Sequence, residues 1–264
     1  MSGLLHGCLM STPHTNGPGG TSPRSLGTIL SIWAHPDDET YLAGGLMAAA
    51  RANGQRVVCA SASDGEHGTS DPGAWPPARL GAVRRWESLA AMAVLGVVEH
   101  HAPGMPDGGL EARARFGLDW VSQLIDEVSP DTILTFGPEG MTSHPDHIAV
   151  HHWVTDAWAA RGCRSRLLYA TTTVEHLERF GELYEEWDMY MSDDRPLGVS
   201  ESTLAVHLRL DGVELDRKLT ALRAMATQTS EVMALVGPDT YAAQVAEEAF
   251  IEAAGRSSST GRTP

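Results

Sequence analysis

The stretch TILSIWAHPDDE (28–39) decides how the chain is read. Its first residues, TILSI, form an apolar run of strand length. Where the run stops, His35, Pro36, Asp37, Asp38 and Glu39 follow in succession. Three adjacent carboxylates repel one another and gain nothing from burial. Such a segment is either a solvated turn or the wall of a cation site.

Strand-like runs recur downstream as RVVCASA (56–62), VVEHHA (97–102), DTILTF (131–136) and LLYATT (167–172). Helical stretches separate them near 40–53, 78–95, 113–128 and 146–161. In the second of these, Leu80, Val83, Leu89, Met92 and Leu95 lie close to a 3.6-residue period, and Gly96 suits a C-cap. Alternating strands and helices with apolar strands predict an α/β fold, a mostly parallel sheet with helices on both faces. A helix near 174–187, a strand near 204–210 and helices near 212–227 and 239–253 complete the expected order. Residues 1–26 are rich in Ser, Thr, Gly and Pro and read as a disordered lead-in. Residues 255–264, GRSSSTGRTP, read as a disordered tail, leaving 27–254 as a single domain without repeats.

Each polar loop follows a strand and so falls at one end of such a sheet. WAHPDDE follows the first strand, SDGEHG (63–68) the second, APGMPDGG (102–109) the third and GPEGMTSHPDH (137–147) the fourth. In open α/β sheets, ligands bind beyond the carboxyl ends of the strands, so the active site is expected there. In HPDH, His144 and His147 are three apart and share a face if a helix starts there. Ser143 suits its cap, Pro145 its first turn and Asp146 the capping-box position. In HPDD, His35 and Asp38 have the same spacing beside another expected helix start.

A single HPD at a helix start is ordinarily a cap and nothing more. Two of them, each after a strand of one parallel sheet, point to a metal. His35, Asp38 and His147 are the expected ligands, with a fourth position for water. Zinc suits this donor set, and Fe(II) or another divalent ion fits it as well. His67, His100, His101, His151 and His152 are read as non-ligands, because they end a strand, sit in a loop or diverge along a helix.

The formal net charge of the 264-residue chain is −15, and Arg84-Arg85 is its one basic pair of note. Nucleic acid and anionic membrane surfaces both need a basic footprint, so neither is an expected partner. Cys8, Cys59 and Cys163 are odd in number and far apart, which argues against disulfides and a thiolate metal site and for a reducing compartment. MSGLLHGCLM lacks a basic segment and its apolar run is too short for a signal peptide, so the expectation is a cytoplasmic protein with no membrane span. Monomer and homo-oligomer are both left open.

The paired motifs AHPDDE (34–39) and HPDH (144–147) resemble the signature of the PIG-L/LmbE-like de-N-acetylases. DGEHG (64–68), RRWESLAAMAVLGV (84–97), MPDGGL (105–110) and KLTALRAMATQ (218–228) add weaker agreement, so the resemblance covers residues 28–230. It implies a Rossmann-like fold and zinc-dependent hydrolysis of an N-acetyl group, usually on a small glucosamine conjugate. It also implies His35, Asp38 and His147 as metal ligands and Asp37 as general base. His144 then stabilises the oxyanion and protonates the leaving amine, with Asp146 as its partner. Glu66, Arg84 and Asp107 fall where relatives touch the sugar or shape its pocket. Two departures stand out: Met225 occupies a position where relatives often have His, and no aromatic residue precedes HPDH as in some mycothiol-pathway members. The exact substrate therefore stays open. Trp75, in DPGAWPPA, is a candidate sugar platform.

Competing functions are weaker. An Fe(II) oxygenase with the same triad is commonly a jelly-roll barrel, against the βα alternation. A dinucleotide site would need G-x-G-x-x-G after the first strand, and that is absent. A different amide substrate, or a silent sugar- or metal-binding module, remains as an alternative.

Overall fold

The computed structural model describes residues 26–254. The expected lead-in and tail lie outside the described residues, apart from Leu26. That residue is fully buried, and its carbonyl accepts a 2.7 Å bond from Thr132 Oγ1.

In chain order the elements are β1 (Ile29–Trp33), α1 (Asp38–Ala52), β2 (Val57–Ser61), α2 (Pro77–Leu95) and β3 (Glu99–His101). There follow α3 (Ala114–Val128), β4 (Thr132–Phe136), the single turn α4 (Gly140–Ser143), α5 (Pro145–Ala160), β5 (Arg166–Thr171) and α6 (Val174–Glu186). The last third holds β6 (Val206–Arg209), α7 (Gly212–Ala224), α8 (Ala226–Val236), α9 (Pro238–Val245) and β7 (Glu247–Glu252).

The seven strands form one sheet in the order β3-β2-β1-β4-β5-β7-β6. The first five run parallel, and β7 lies antiparallel to both β5 and β6. Every residue of β1, β2 and β4 is buried, as central parallel strands covered on both faces require. Helices α1, α2 and α7 pack on one another, as do α3 and α5. The expected α/β architecture is therefore present. The C-cap at Gly96 is too, with φ 78°.

The last third departs from expectation. The helix expected over 239–253 ends at Val245, and EEAFIE becomes β7. Alanine and glutamate favour helix locally, but Phe250 is fully buried and paired between β5 and β6. Glu248 is buried too, and its oxygens accept from Gly45 N–H (2.6 Å), Leu46 N–H (2.8 Å) and Lys218 Nζ (2.7 Å). These partners come from α1 and α7, so no local pattern shows them. The helix expected over 212–227 breaks at Met225, and α8 follows it.

Candidate active site

β1 and β4 are neighbours, with Ile29 opposite Thr132. The chain builds outward from β1 through β2 to β3, then returns to β4 and builds the other way. The crevice at such a switch point is where α/β sheets bind ligands. WAHPDDE and GPEGMTSHPDH leave these two strands, so the two HPD motifs meet there.

They meet closely. His35 Nδ1 is 3.2 Å from His147 Nε2. Asp38 Oδ2 is 3.5 Å from His35 Nδ1, and Asp38 Oδ1 is 3.4 Å from His147 Nε2. A tetrahedral zinc with bonds of about 2.0–2.1 Å needs ligand-to-ligand edges of about 3.3–3.4 Å. The three expected ligands match that spacing, and all are buried.

The far side of each ring is also engaged. His35 Nε2 faces Asp107 Oδ1 at 3.1 Å and Asp146 Oδ2 at 3.4 Å, and His147 Nδ1 donates to the Gly140 carbonyl at 2.9 Å. Metal-bound histidines are held this way, through a carboxylate or carbonyl on the other nitrogen. It leaves His35 Nδ1 and His147 Nε2 turned to each other beside a carboxylate, where only a positive charge relieves the lone pairs. Burial alone lowers the His35 pKa, yet its bonds to Asp107, Asp146 and Asp38 raise it well above the ordinary imidazole value. The surroundings thus favour positive charge at this point. His147 stacks on Phe136 at 4.1 Å between ring centres and on His144 at 4.8 Å, which fixes its plane. Two further sets of donor atoms lie within 4.8 Å of one another: His35, His144 and His147, and His35, Asp107 and Asp146.

The three acids of the opening motif separate. Asp38 joins the two imidazoles. Glu39 is fully buried and accepts the Asp37 N–H at 3.1 Å. Burial, then the charge of Asp37, pushes its pKa up to about 8, so it is neutral at pH 7. Asp37 sits at φ 125°, ψ −38°, a strained conformation for a residue with a side chain. Burial pushes its pKa up to about 6, while Arg84 pulls it down. It lines the cavity together with Asp38 and His147.

Arg84 does not contact that cavity. It is almost fully buried and donates to the carbonyls of Gly65 and Pro36, both at 2.5 Å, and to Asp37 Oδ2 at 3.2 Å. Gly65, at φ 62°, has no room for a side chain, because an added Cβ would lie 2.1 Å from Arg84 Nη1. Glu66 Oε1 accepts from the Asp107 N–H at 3.0 Å, and Asp107 Oδ2 accepts from the His67 N–H at 2.8 Å. Glu66, Arg84 and Asp107, expected at the sugar, thus hold one another's loops and Asp37, and none of them lines the cavity. Trp75 is likewise away from the cavity, under the Arg79 guanidinium at 4.7 Å. Met225 is packed in the core.

The α5 cap differs from expectation. His144, not Ser143, is the N-cap, and its Nδ1 accepts the Asp146 N–H at 3.1 Å. The Asp146 carboxylate accepts from Gly108 N–H (2.8 Å) and Leu110 N–H (3.0 Å) and faces His35.

A cavity of about 670 Å³ opens from Asp37, Asp38 and His147. Its wall includes Tyr41, Tyr241, Thr173, His176, Tyr184 and Glu247, none of them expected from the sequence. They come from α1, from the turn before α6, from α6 and α9, and from β7. Their spacing carries no periodic or motif signal.

A family model described as GlcNAc-PI de-N-acetylase, PIG-L, matches residues 30–158. The 1D-myo-inositol 2-acetamido-2-deoxy-alpha-D-glucopyranoside deacetylase of Mycolicibacterium vanbaalenii is 34% identical over 239 residues, 80% of this chain and 82% of that one. Among solved structures, N,N'-diacetylchitobiose deacetylase from Pyrococcus horikoshii aligns with a TM-score of 0.62 at 20% identity, over 88% of this chain and 85% of that one. The 4-carboxy-2-hydroxymuconate hydratase of Pseudomonas putida aligns with a TM-score of 0.57 at 19% identity, over 88% and 98%. A hydratase on this scaffold means that fold likeness alone does not decide the reaction. The identity to the Mycolicibacterium deacetylase runs through most of both chains, and with it this chain belongs to the PIG-L family of de-N-acetylases.

Proposed function

We propose that this chain hydrolyses the N-acetyl group of an N-acetylglucosamine-containing small molecule, with a divalent metal held by His35, Asp38 and His147, giving free amine and acetate. The observation that carries the reading is the triad with 3.2–3.5 Å edges beside a cavity-facing carboxylate that is not part of it. The donor set fits zinc best, with Fe(II) as the alternative. When bound, such an ion polarises the acetyl carbonyl and brings the pKa of a bound water towards about 7.

Asp37 takes the proton from the attacking water. A pKa of about 6 suits a base that works near neutrality and then gives the proton back. Arg84 holds its carboxylate in place and keeps it ionised. His144 meets the oxyanion. Its Nδ1 is occupied by the Asp146 N–H, so the neutral ring carries its proton on Nε2. Burial first, then the charge of His35, lowers the pKa of His144, and positive charge at the triad acts the same way. His144 is thus a neutral donor at pH 7, and Asp37 returns the proton to the leaving amine. Asp107 and Asp146 orient His35. Tyr41, its hydroxyl joined to that of the buried Tyr241 at 2.6 Å, offers an aromatic surface for a sugar face.

The test is acetate release from N-acetylglucosamine and its conjugates, using metal-stripped protein with zinc or Fe(II) restored. Release that returns with the metal supports the reading. An equivalent of bound metal with no release from any conjugate would refute it.

A further inference from the structure

We propose, resting on the amide-hydrolase reading above, that the sugar carries a neutral apolar aglycone, aromatic or alkyl, and that aglycones bearing phosphate or carboxylate are disfavoured. Pockets of about 300–1,000 Å³ enclose drug-sized ligands. At about 670 Å³, the cavity at the triad is far larger than a single sugar ring requires.

The wall beyond Asp37, Asp38 and His147 is largely apolar. Leu177, Trp187, Tyr190, Val232, Leu235 and Val245 line it, from α6, the segment after it, α8 and α9. Leu235 is 70% exposed, and Leu177, Trp187, Tyr190 and Val232 are half-buried. Apolar side chains gathered at a cavity mouth mark a surface that another apolar body covers.

Among the described residues no Lys or Arg lines the cavity, and its distal ionisable groups include Glu186, Glu231 and Glu247. Arg195, over the Tyr190 ring at 4.9 Å, is already paired with Glu185, so an anion placed there would meet mainly carboxylates. The polar residues of this end already satisfy one another. Glu247 accepts from Thr173 Oγ1 (3.1 Å), His176 Nδ1 (3.1 Å) and His207 Nε2 (2.6 Å). His176 Nε2 pairs with the Tyr184 hydroxyl at 2.7 Å. Shape and the charge of the lining therefore agree on a neutral, largely apolar occupant.

The experiment measures kcat/KM for acetate release by the zinc-loaded enzyme. The substrates are the methyl, phenyl and octyl glycosides of N-acetylglucosamine and its 1-phosphate. The phenyl or octyl glycoside is expected to exceed the methyl glycoside by about 30-fold, the scale of one buried apolar group. The 1-phosphate is expected to fall below the methyl glycoside. Val232→Lys is expected to cut the phenyl-to-methyl ratio about tenfold and to raise the 1-phosphate relative to the phenyl glycoside, by placing a cation in the apolar wall. Equal constants for the three glycosides, or a preference for the 1-phosphate, would overturn the aglycone proposal and leave the hydrolase reading intact. No acetate from any of the four substrates would overturn both.

Discussion

Asp37, Asp38 and Glu39 are neighbours in sequence with three different surroundings: a cavity wall beside Arg84, a pair of imidazoles, and a dry interior. Only the non-ligand carboxylate on the wall is free to move a proton. Asp37→Ala is expected to retain zinc and lose about 10²–10⁴-fold in kcat. Full turnover in that variant would remove Asp37 as the base. His144→Ala is expected to lose about 10²–10³-fold in kcat, the usual effect of one oxyanion donor. Kinetics at saturating substrate test this, and an unchanged kcat would contradict it. Arg84 lowers the Asp37 pKa by its charge, so Arg84→Met raises that pKa. Because the base works ionised, the acidic limb of the pH–rate profile then moves to higher pH. A limb that stays put, or moves to lower pH, would contradict the assignment. The meeting of His35, Asp38 and His147 was legible, because they occupy matched positions in two short motifs. The supporting role of Arg84 was not, because its partners are backbone carbonyls of residues 36 and 65, brought to it only by folding.

At the scale of elements, α1 holds the site in place and is itself held from behind. Lys218 on α7 and Glu248 on β7 are both fully enclosed, 2.7 Å apart. Lys218 also donates to the Tyr41 carbonyl at 2.7 Å, and Glu248 accepts two backbone N–H groups of α1. Removing one partner of a buried ion pair costs about 3–5 kcal/mol. Lys218→Met is therefore expected to lower Tm by about 6–20 °C, given about 2–4 °C per kcal/mol in a domain of this size. Lys218→Met with Glu248→Gln is expected to recover part of that loss, because the buried charge is gone. Thermal melts check both, and a double variant no better than the single would contradict the account. This lock also explains why β7 was unreadable. A Glu in a strand looks like a helix residue until its Lys, three elements earlier in the chain, is in place. The α2 helix and the burial of Leu80, Met92 and Leu95 were legible, but the rest of its inward face was not. Its buried face carries Arg84 and Ser88 beside Leu80 and Met92, while Leu89 is 48% exposed.

At the scale of the molecule, the order β3-β2-β1-β4-β5 places a switch point between the two strands that end in HPD motifs. That coincidence is what made the candidate site legible, since parallel-sheet physics already sends strand-end loops to one edge. The cavity wall was not legible, because it is assembled from α1, the turn before α6, and α6, α8, α9 and β7, which only folding brings together. The net charge of −15 agrees with a small substrate rather than a polyanion. Among the described residues, no helix is long and apolar enough to cross a membrane. An ion that bridges β1 and β4 through their loops should stabilise the whole fold. Zinc at about 100 times its Kd is expected to raise Tm by about 5–10 °C over metal-stripped protein, and no shift would count against the site. The central claim is that His35, Asp38 and His147 together hold the metal. Anomalous diffraction at the zinc edge, from crystals grown with zinc, tests it most directly. The account predicts one peak about 2.0–2.2 Å from His35 Nδ1, His147 Nε2 and an Asp38 oxygen. A peak on the His35, Asp107 and Asp146 side, or none at the switch point, would contradict it.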